Sequence, residues 1–356
     1  MMSTSNYGPQ SLLKIKDLKV YIKDEKARLL RIVDGVSFEV KENEAVGLFG
    51  ECGCGKTTTI NAIMGLINGI PGVINGEIWF EKTNLLDKLN KICCVEKKDC
   101  KLIIKKDVKE WQKIYDQQMV KIRGNKIFLV RQGAKSNLNP FWKIKHQVAE
   151  IGKKNGIKID TIFEKLEIKD KIEHYPHQLS GGECQRVLLT MGFASGAKLL
   201  AVDEPTVGID EKLRTKIIEL FREYKDKEDK EDKSGETSSC YSLLIISHDL
   251  QIIKEIVDKV VVMCSGEVVE TGSKNEVIYH PKHPYTKILI ESYSISSVKA
   301  KSLPTIKGLS HSLYEKSQGC RFYIRCGNKH KNKNCSSKEP NITGNTHTVR
   351  CHYPLD

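Results

Sequence analysis

At 356 residues, with 39% apolar and 29% charged residues, the chain has the composition of a soluble globular protein and enough length for one large domain or one domain with an appendage. No apolar run approaches the roughly 18 residues that span a bilayer, and the opening MMSTSNYGPQSLLKIKDL has no apolar core of signal-peptide length. Composition therefore argues against an integral membrane protein and predicts a cytosolic one, in which the twelve cysteines are reduced thiols or metal ligands rather than a disulfide framework.

Taken in order, Leu12 to Ile22 alternates apolar and charged residues as a half-buried strand does, and Ile32 to Val40 repeats the pattern after a charged hairpin. Ala45 to Phe49 reads as a buried strand, followed by GECGCGKT (Gly50–Thr57) and a stretch of helical character through Met64. Gly76 to Phe80 predicts a further strand. The lysine-rich region 87–118, with Cys93, Cys94 and Cys100, reads as an insertion with helix at Val108 to Tyr115 and with packing or surface thiols. Lys126 to Val130 predicts a strand ending at Arg131-Gln132, before a loop Lys135 to Trp142. Ala149 to Ile172 has helical spacing. Leu199 to Val202 and Leu243 to Ile246 are apolar runs of the buried, parallel type, and Ile209 to Lys225 is an amphipathic helix between them. Asp226 to Ser239 is low-complexity and charged. Lys259 to Met263 and Glu267 to Glu270 predict a last hairpin, and a composition change places a boundary near residue 272.

GECGCGKT fits the loop G-x-x-x-x-G-K-[ST], whose backbone N–H groups and lysine cradle nucleotide phosphates. Gly50, Gly53 and Gly55 let successive N–H dipoles converge on one anion, and Cys52, Cys54 and Thr58 complete the candidate loop. Lys56 is expected to reach the β- and γ-phosphates and Thr57 to ligate Mg²⁺. Asp203-Glu204 ends a buried strand at the sheet's carboxyl edge, where Asp203 suits Mg²⁺ and Glu204 suits a general base on the attacking water. Gln132 and His248, each after its own strand, are candidates for an Mg²⁺ and water contact and for a γ-phosphate hydrogen bond. Tyr21 is the candidate to stack on the base, against its reading as a plain strand residue. Cys52 and Cys54 stand where small polar residues are expected. They read either as thiols replacing serine in a reducing cytosol, or as thiols made acidic by Lys56 and the helix N-terminus and open to oxidation.

Leu179-Ser180-Gly181-Gly182-Glu183-Cys184-Gln185 resembles the LSGGQ or LSGGE signature of ABC-type ATPases, and with the motifs above the resemblance covers residues 12–272. It implies an α/β fold: a RecA-like P-loop core, an antiparallel β subdomain and a helical subdomain at about 134–190. It also implies ATP and Mg²⁺, and a head-to-tail dimer with a second ABC ATPase subunit. There Ser180, Gly181, Gly182 and Glu183 face the partner's ATP, and Asp210 contacts the partner. Val207-Gly208-Ile209-Asp210 departs from the family's usual small polar residue and Ala-Leu before the aspartate.

The tail, residues 273–356, narrows the likeness. His280-Pro281-Lys282-His283-Pro284-Tyr285-Thr286 resembles the HPxHPYT segment of oligopeptide, dipeptide and nickel import ATPases. Cys320, Cys326, Cys335 and Cys351 are similar to that subfamily's cysteine-bearing ending, and Asn137 to Pro140 to its permease-facing loop. The resemblance implies an ATPase subunit of an importer on the cytoplasmic face of the membrane, working with transmembrane permease subunits and indirectly with an extracytoplasmic binding protein. Peptides are the favoured cargo and nickel the alternative. The four cysteines suit a [4Fe–4S] cluster, with zinc as the alternative and free thiols a third reading. Arg321, Arg325 and Arg350 are placed to balance an anionic cluster. The net charge of +13 is concentrated here: Lys299 to Asp356 holds eleven Lys or Arg against three Asp or Glu. A basic tail admits a rival, a soluble ABC protein acting on nucleic acid or ribosomes. That rival is disfavoured by a single P-loop, and no nucleic-acid partner is expected.

Overall fold

A computed structural model describes residues 11–89, 92–98, 101–152, 159–225, 241–294, 306, 308, 311–314 and 316–356. Strand β1 (Ser11–Lys23) pairs antiparallel with β2 (Leu29–Lys41), and β3 (Ala45–Phe49) leads into helix α1 (Lys56–Ile63). Next come β4 (Pro71–Phe80) and the short β5 (Thr83–Asn84), then the hairpin β6 (Cys93–Lys98) and β7 (Lys101–Lys106) and helix α2 (Val108–Met119). Strand β8 (Ile127–Val130) precedes helices α3 (Ile144–Gly152), α4 (Ile159–Lys165) and α5 (Gly181–Ala194). The core closes with β9 (Leu199–Asp203), α6 (Glu211–Lys225), β10 (Ser242–Ile246), α7 (Leu250–Ile256), β11 (Lys259–Cys264) and β12 (Glu267–Ser273). The tail supplies α8 (Lys274–Tyr279), α9 (Pro284–Ser294), β13 (Ile342–Thr343) and β14 (Thr348–Arg350).

Among the described residues the strands form an antiparallel sheet, β2-β1-β4-β5, and a larger sheet, β13-β14-β12-β11-β3-β10-β9-β8, whose members from β11 to β8 run parallel. Alternation along the central strands divides the core in two. Leu200, Val202, Leu243 and Ile245 face helices α3 to α7, while Leu199, Ala201, Leu244 and Ile246 face β1, β2 and α1. Such strands are buried on both faces, which is why they read as unbroken apolar runs. At Gly47 in β3 a Cβ would stand 2.8 Å from Ile253 Cδ1 of α7, so the glycine sets how closely that helix approaches.

The antiparallel sheet, the helical segment and the parallel core agree with the α/β architecture expected. The insertion differs in one respect. Its helix is present, but a β-hairpin precedes it, because Lys101 to Lys106 alternates too briefly among lysines to be recognised as a strand. The hairpin is fastened by Lys106, whose Nζ donates to the carbonyls of Pro71 (2.8 Å) and Val73 (2.6 Å) and stands 3.8 Å above the Trp111 ring. Burial lowers that ammonium to about 8. Cys93 packs beside Tyr21 and Ile74, as a packing thiol, and Cys94 is exposed. Cys100 and the charged stretch 226–239 lie outside the described residues.

The tail is joined to the core sheet. Strand β14 pairs antiparallel with β12, and the side chain of Arg321 is 3% exposed between two core segments. Its Nη1 donates to Ser265 O (2.6 Å), Nη2 pairs with Asp34, and Nε lies 3.0 Å from Glu267 Oε1 as an ion pair rather than an aligned hydrogen bond. Removing the guanidinium takes the cationic partner from two largely buried carboxylates, Asp34 keeping only the Tyr21 hydroxyl. Arg321→Ala is expected to cost roughly 3–5 kcal/mol in urea unfolding, and a loss below about 1 kcal/mol would show that the anchor is dispensable.

Candidate functional site

The parallel strands end together, and the loops that leave them build the site. After β3 the chain turns at Gly50, whose φ of +155° places its Cα so that a Cβ would lie 2.3 Å from Met263 O. No larger residue fits there. Lys56, at the start of α1, is 6% exposed, and its Nζ donates to Gly50 O (2.7 Å) and Glu51 O (2.9 Å). Gly53, Gly55, Lys56, Thr57 and Thr58 line a cavity of about 510 Å³ with Cys52, Gln132, Asp203, Glu204 and His248. Most of the predicted phosphate and carboxylate residues are thus brought to one space.

Asp203 ends β9 buried, with Thr57 hydrogen-bonded to it and its Oδ1 without a partner. Burial is the larger influence and raises its carboxyl above the usual range; the Thr57 hydroxyl works against that. An orphaned buried carboxylate oxygen beside a hydroxyl is a fitting pair of ligands for Mg²⁺, a hard cation that prefers oxygen. Glu204 follows with φ +53°, a left-handed conformation strained for a side chain with a Cβ. That turn leaves Glu204 Oε2 2.8 Å from His248 Nδ1, after β10. With Nδ1 donating to the carboxylate, Nε2 is the ring nitrogen available to the cavity.

Three predicted features fall elsewhere. Tyr21 is 5% exposed beneath the sheet, donates its hydroxyl to Asp34 Oδ1, and does not line the cavity. Its ring serves the buried network around Asp34 and Arg321, so it is not placed to stack on a base. Cys54 is buried, its Sγ 3.8 Å from Lys56 Nζ, and burial pushes its thiol up despite the neighbouring ammonium, opposite to the acidic thiol considered from sequence. Cys52 is exposed at the cavity. Ser180, Gly181, Gly182 and Glu183 open α5 and do not line this cavity. The helix start is complete in itself: Ser180 Oγ accepts from Glu183 N (3.2 Å) and Glu183 Oε2 from Ser180 N (2.7 Å). Gly182 allows close approach of the following loop, since a Cβ there would meet Gly208 O at 2.9 Å. Asp210 is exposed and caps α6, accepting from Leu213 N at 3.0 Å.

Tail residues that were assigned other roles from the sequence also reach the P-loop. The backbone N–H of Glu51 donates to the Tyr285 hydroxyl (2.8 Å), and its carboxylate accepts from Arg325 Nη1 (2.9 and 3.0 Å). Arg321 and Arg325 therefore direct their charge to carboxylates, not to the neighbouring thiols. The motif around Tyr285 was visible; what it holds was not. Tyr293 of α9 lies against His248, ring centroids 6.0 Å apart, and carried no sequence signal.

Cys320, Cys326, Cys335 and Cys351 line one small cavity of about 20 Å³, walled by Pro284, Tyr323 and Tyr353. Burial pushes the Cys320 thiol up to about 12 and that of Cys351 up to about 11. No group of three or more His, Cys, Asp or Glu positioned to hold a metal ion occurs among the described residues.

The ABC transporter family profile matches residues 33–207, and that of the oligopeptide/dipeptide transporter C-terminal region matches 269–335. The chain is 32% identical to the dipeptide transport ATP-binding protein DppD of Haemophilus influenzae, across 97% of this chain and 96% of that protein. It is 31% identical to the oligopeptide transport ATP-binding protein AppD of Bacillus subtilis, across 96% of each. Among solved structures it resembles the ATP-binding cassette MJ0796 in a dimeric post-hydrolysis state with ADP and phosphate. There the TM-score is 0.55 at 22% identity, covering 74% of this chain and 98% of that one, a likeness of fold.

His283 offers a test of how the tail is seated. It is 1% exposed, its Nδ1 accepts from Tyr285 N (3.0 Å), and burial depresses the imidazole from 6.5 to about 3. An unfolded chain takes up this proton below about pH 6.5 and the folded chain does not, so the stability this histidine contributes is present above that pH and is lost as pH falls toward 3. The limiting slope is about 1.4 kcal/mol per pH unit. Thermal melts of wild type and His283→Asn between pH 7.5 and 5 are expected to converge as pH falls; parallel melting curves would contradict a neutral buried His283.

Proposed function

The chain belongs to the ABC transporter ATP-binding family, and from that premise we propose that it is the ATP-hydrolysing subunit of a peptide importer. The observation that carries the cargo class is the match through the tail. Relatives named for dipeptide and oligopeptide transport align over nearly the whole chain, including the segment whose Tyr285 is bonded to the P-loop. No helix among the described residues is long and apolar enough to cross a membrane. The chain's place is accordingly peripheral, on the cytoplasmic face, with permease subunits supplying the path. Phe141 and Trp142, 85% and 46% exposed after the Asn137 to Pro140 loop, are the apolar surface offered to such a permease.

ATP binding exchanges partners at Lys56, whose ammonium leaves two neutral carbonyls for the β- and γ-phosphates while the P-loop amides take the remaining oxygens. Thr57 and Asp203 would hold Mg²⁺, with Gln132 in the same cavity lining, and the bound ion would supply charge neutralisation for the phosphates. Glu204 takes the proton of the attacking water, and His248, oriented by Glu204, donates to the γ-phosphate. The signature residues 180–183 do not line their own chain's cavity, which supports a second ABC subunit completing the site head to tail. Glu204→Gln is expected to keep ATP binding, lower turnover by about 100-fold or more, and accumulate dimer in light scattering. Unchanged turnover would remove Glu204 from the base role.

The four tail cysteines are read as ligands of a [4Fe–4S] cluster. Supporting this, the four thiols line one cavity from separated segments and the donor set is all sulfur. The cavity is about 20 Å³, so taking up a cluster would require the thiols to move apart. Chain purified without oxygen is expected to be brown with about four irons per molecule; colourless protein with stoichiometric zinc would reverse the assignment.

A further inference from the structure

The cavity beside the P-loop has two chemically different ends. One is the phosphate end, made of residues 53–58, Asp203, Glu204 and His248. The other is lined by three aliphatic side chains: Leu30 and Ile32 from β2, and Leu313 from the C-terminal tail. Strand β2 adjoins the P-loop closely, since a Cβ on Gly55 would stand 2.7 Å from Ile32 O. Leu30 and Ile32 both line the cavity, Ile32 standing at the β-bulge where the pair Val20–Val33 gives way to Tyr21–Arg31.

Leu313 is held in place against this strand. Arg31 N–H donates to Leu313 O at 2.8 Å, so the tail segment runs alongside β2. Next to it, the Arg28 guanidinium lies 4.1 Å from the centre of the Tyr314 ring, and the Tyr314 hydroxyl donates to Asp24 Oδ2 at 3.0 Å. Three contacts thus fix residues 313–314 on the β1–β2 hairpin and its outgoing strand.

We propose that Leu313, a residue of the tail, forms with Leu30 and Ile32 the wall on which the nucleotide base lies, so that the tail is part of the ATP site. The inference rests on the reading of this cavity as the ATP site. The phosphates are fixed by the P-loop turn, which leaves the base to the aliphatic lining beside it. A purine has flat apolar faces, and aliphatic side chains cover them by dispersion and exclusion of water. Tyr21, the aromatic of the same strand pair, is committed to Asp34 and leaves this role to the leucines. Arg325 and Tyr285 of the same tail brace Glu51 of the phosphate loop, so the tail touches both that loop and the aliphatic lining.

The test separates base from phosphate in the full-length chain. Calorimetry with Mg²⁺ compares ATPγS with inorganic tripolyphosphate, which lacks base and sugar. Leu313→Ala is expected to weaken ATPγS roughly tenfold, the effect of uncovering most of a leucine side chain, and to leave tripolyphosphate within about twofold. Leu313→Phe, which keeps an apolar face, is expected to bind ATPγS at least as tightly as wild type. Unchanged ATPγS affinity in Leu313→Ala, or equal loss of both ligands, would overturn the proposal. Lys56→Ala is expected to lose both ligands; if it retains both, the failure lies with the reading of the cavity as an ATP site and not with the wall alone.

Discussion

A buried ammonium needs compensation wherever it sits, and Lys56 finds it in the carbonyls of Gly50 and Glu51. Those two oxygens are neutral dipoles, so a phosphate anion competes with them on favourable terms. Much else in the site is arranged to keep Glu51 in place while this exchange occurs. Its carbonyl faces Lys56, its N–H is held by Tyr285 and its carboxylate by Arg325. One residue of the loop therefore links the phosphate-binding lysine to two segments of the tail, and the energetics of the loop and of the tail's packing are coupled through it.

The parallel sheet explains why the catalytic groups meet. Strands β3, β9 and β10 are neighbours in register, so the P-loop, Asp203-Glu204 and His248 leave one edge of the sheet side by side. The left-handed backbone at Glu204 then turns its carboxylate toward His248 instead of leaving it in line with Asp203. The two adjacent acids acquire different surroundings as a result: Asp203 is desolvated with a free oxygen, and Glu204 is paired with an imidazole. Different roles for neighbouring carboxylates follow from environment, not from residue type.

The core and most of the phosphate site were legible because their signals are local. Continuous apolar strands, a glycine-rich turn and a carboxylate pair at a strand end each report on a few consecutive residues. The structure reproduces those elements with small shifts of boundary. Longer-range relations were not legible. Tyr21 was a reasonable base-stacking candidate until Asp34 and Arg321, distant in sequence, were seen to claim its hydroxyl and its surroundings. The depressed thiol suggested for Cys54 considered a nearby charge but not the burial that outweighs it. Leu313 and Tyr293 carry no motif of their own, and Arg325, assigned from the sequence to the cysteines, is bound instead to Glu51 of the P-loop.

That path has a physical basis in one buried carboxylate. Glu270 of β12, 1% exposed, accepts from Lys282 N (2.7 Å) and His283 N (2.9 Å), and His347 Nε2 lies 2.7 Å from it. It therefore fastens both the entry of the tail at the histidine–proline motif and its return near β14. Burying a carboxylate is tolerable here because its oxygens have partners, and Cys320, Cys326 and Cys335 lie between those partners in the chain while Cys351 follows the last of them. Between those points, Arg321 and Arg325 follow or precede a cysteine directly, at Cys320 and Cys326, and both are bound to core carboxylates. Arg325 in turn ends on Glu51, so a single side chain joins the segment that carries Cys326 to the phosphate loop.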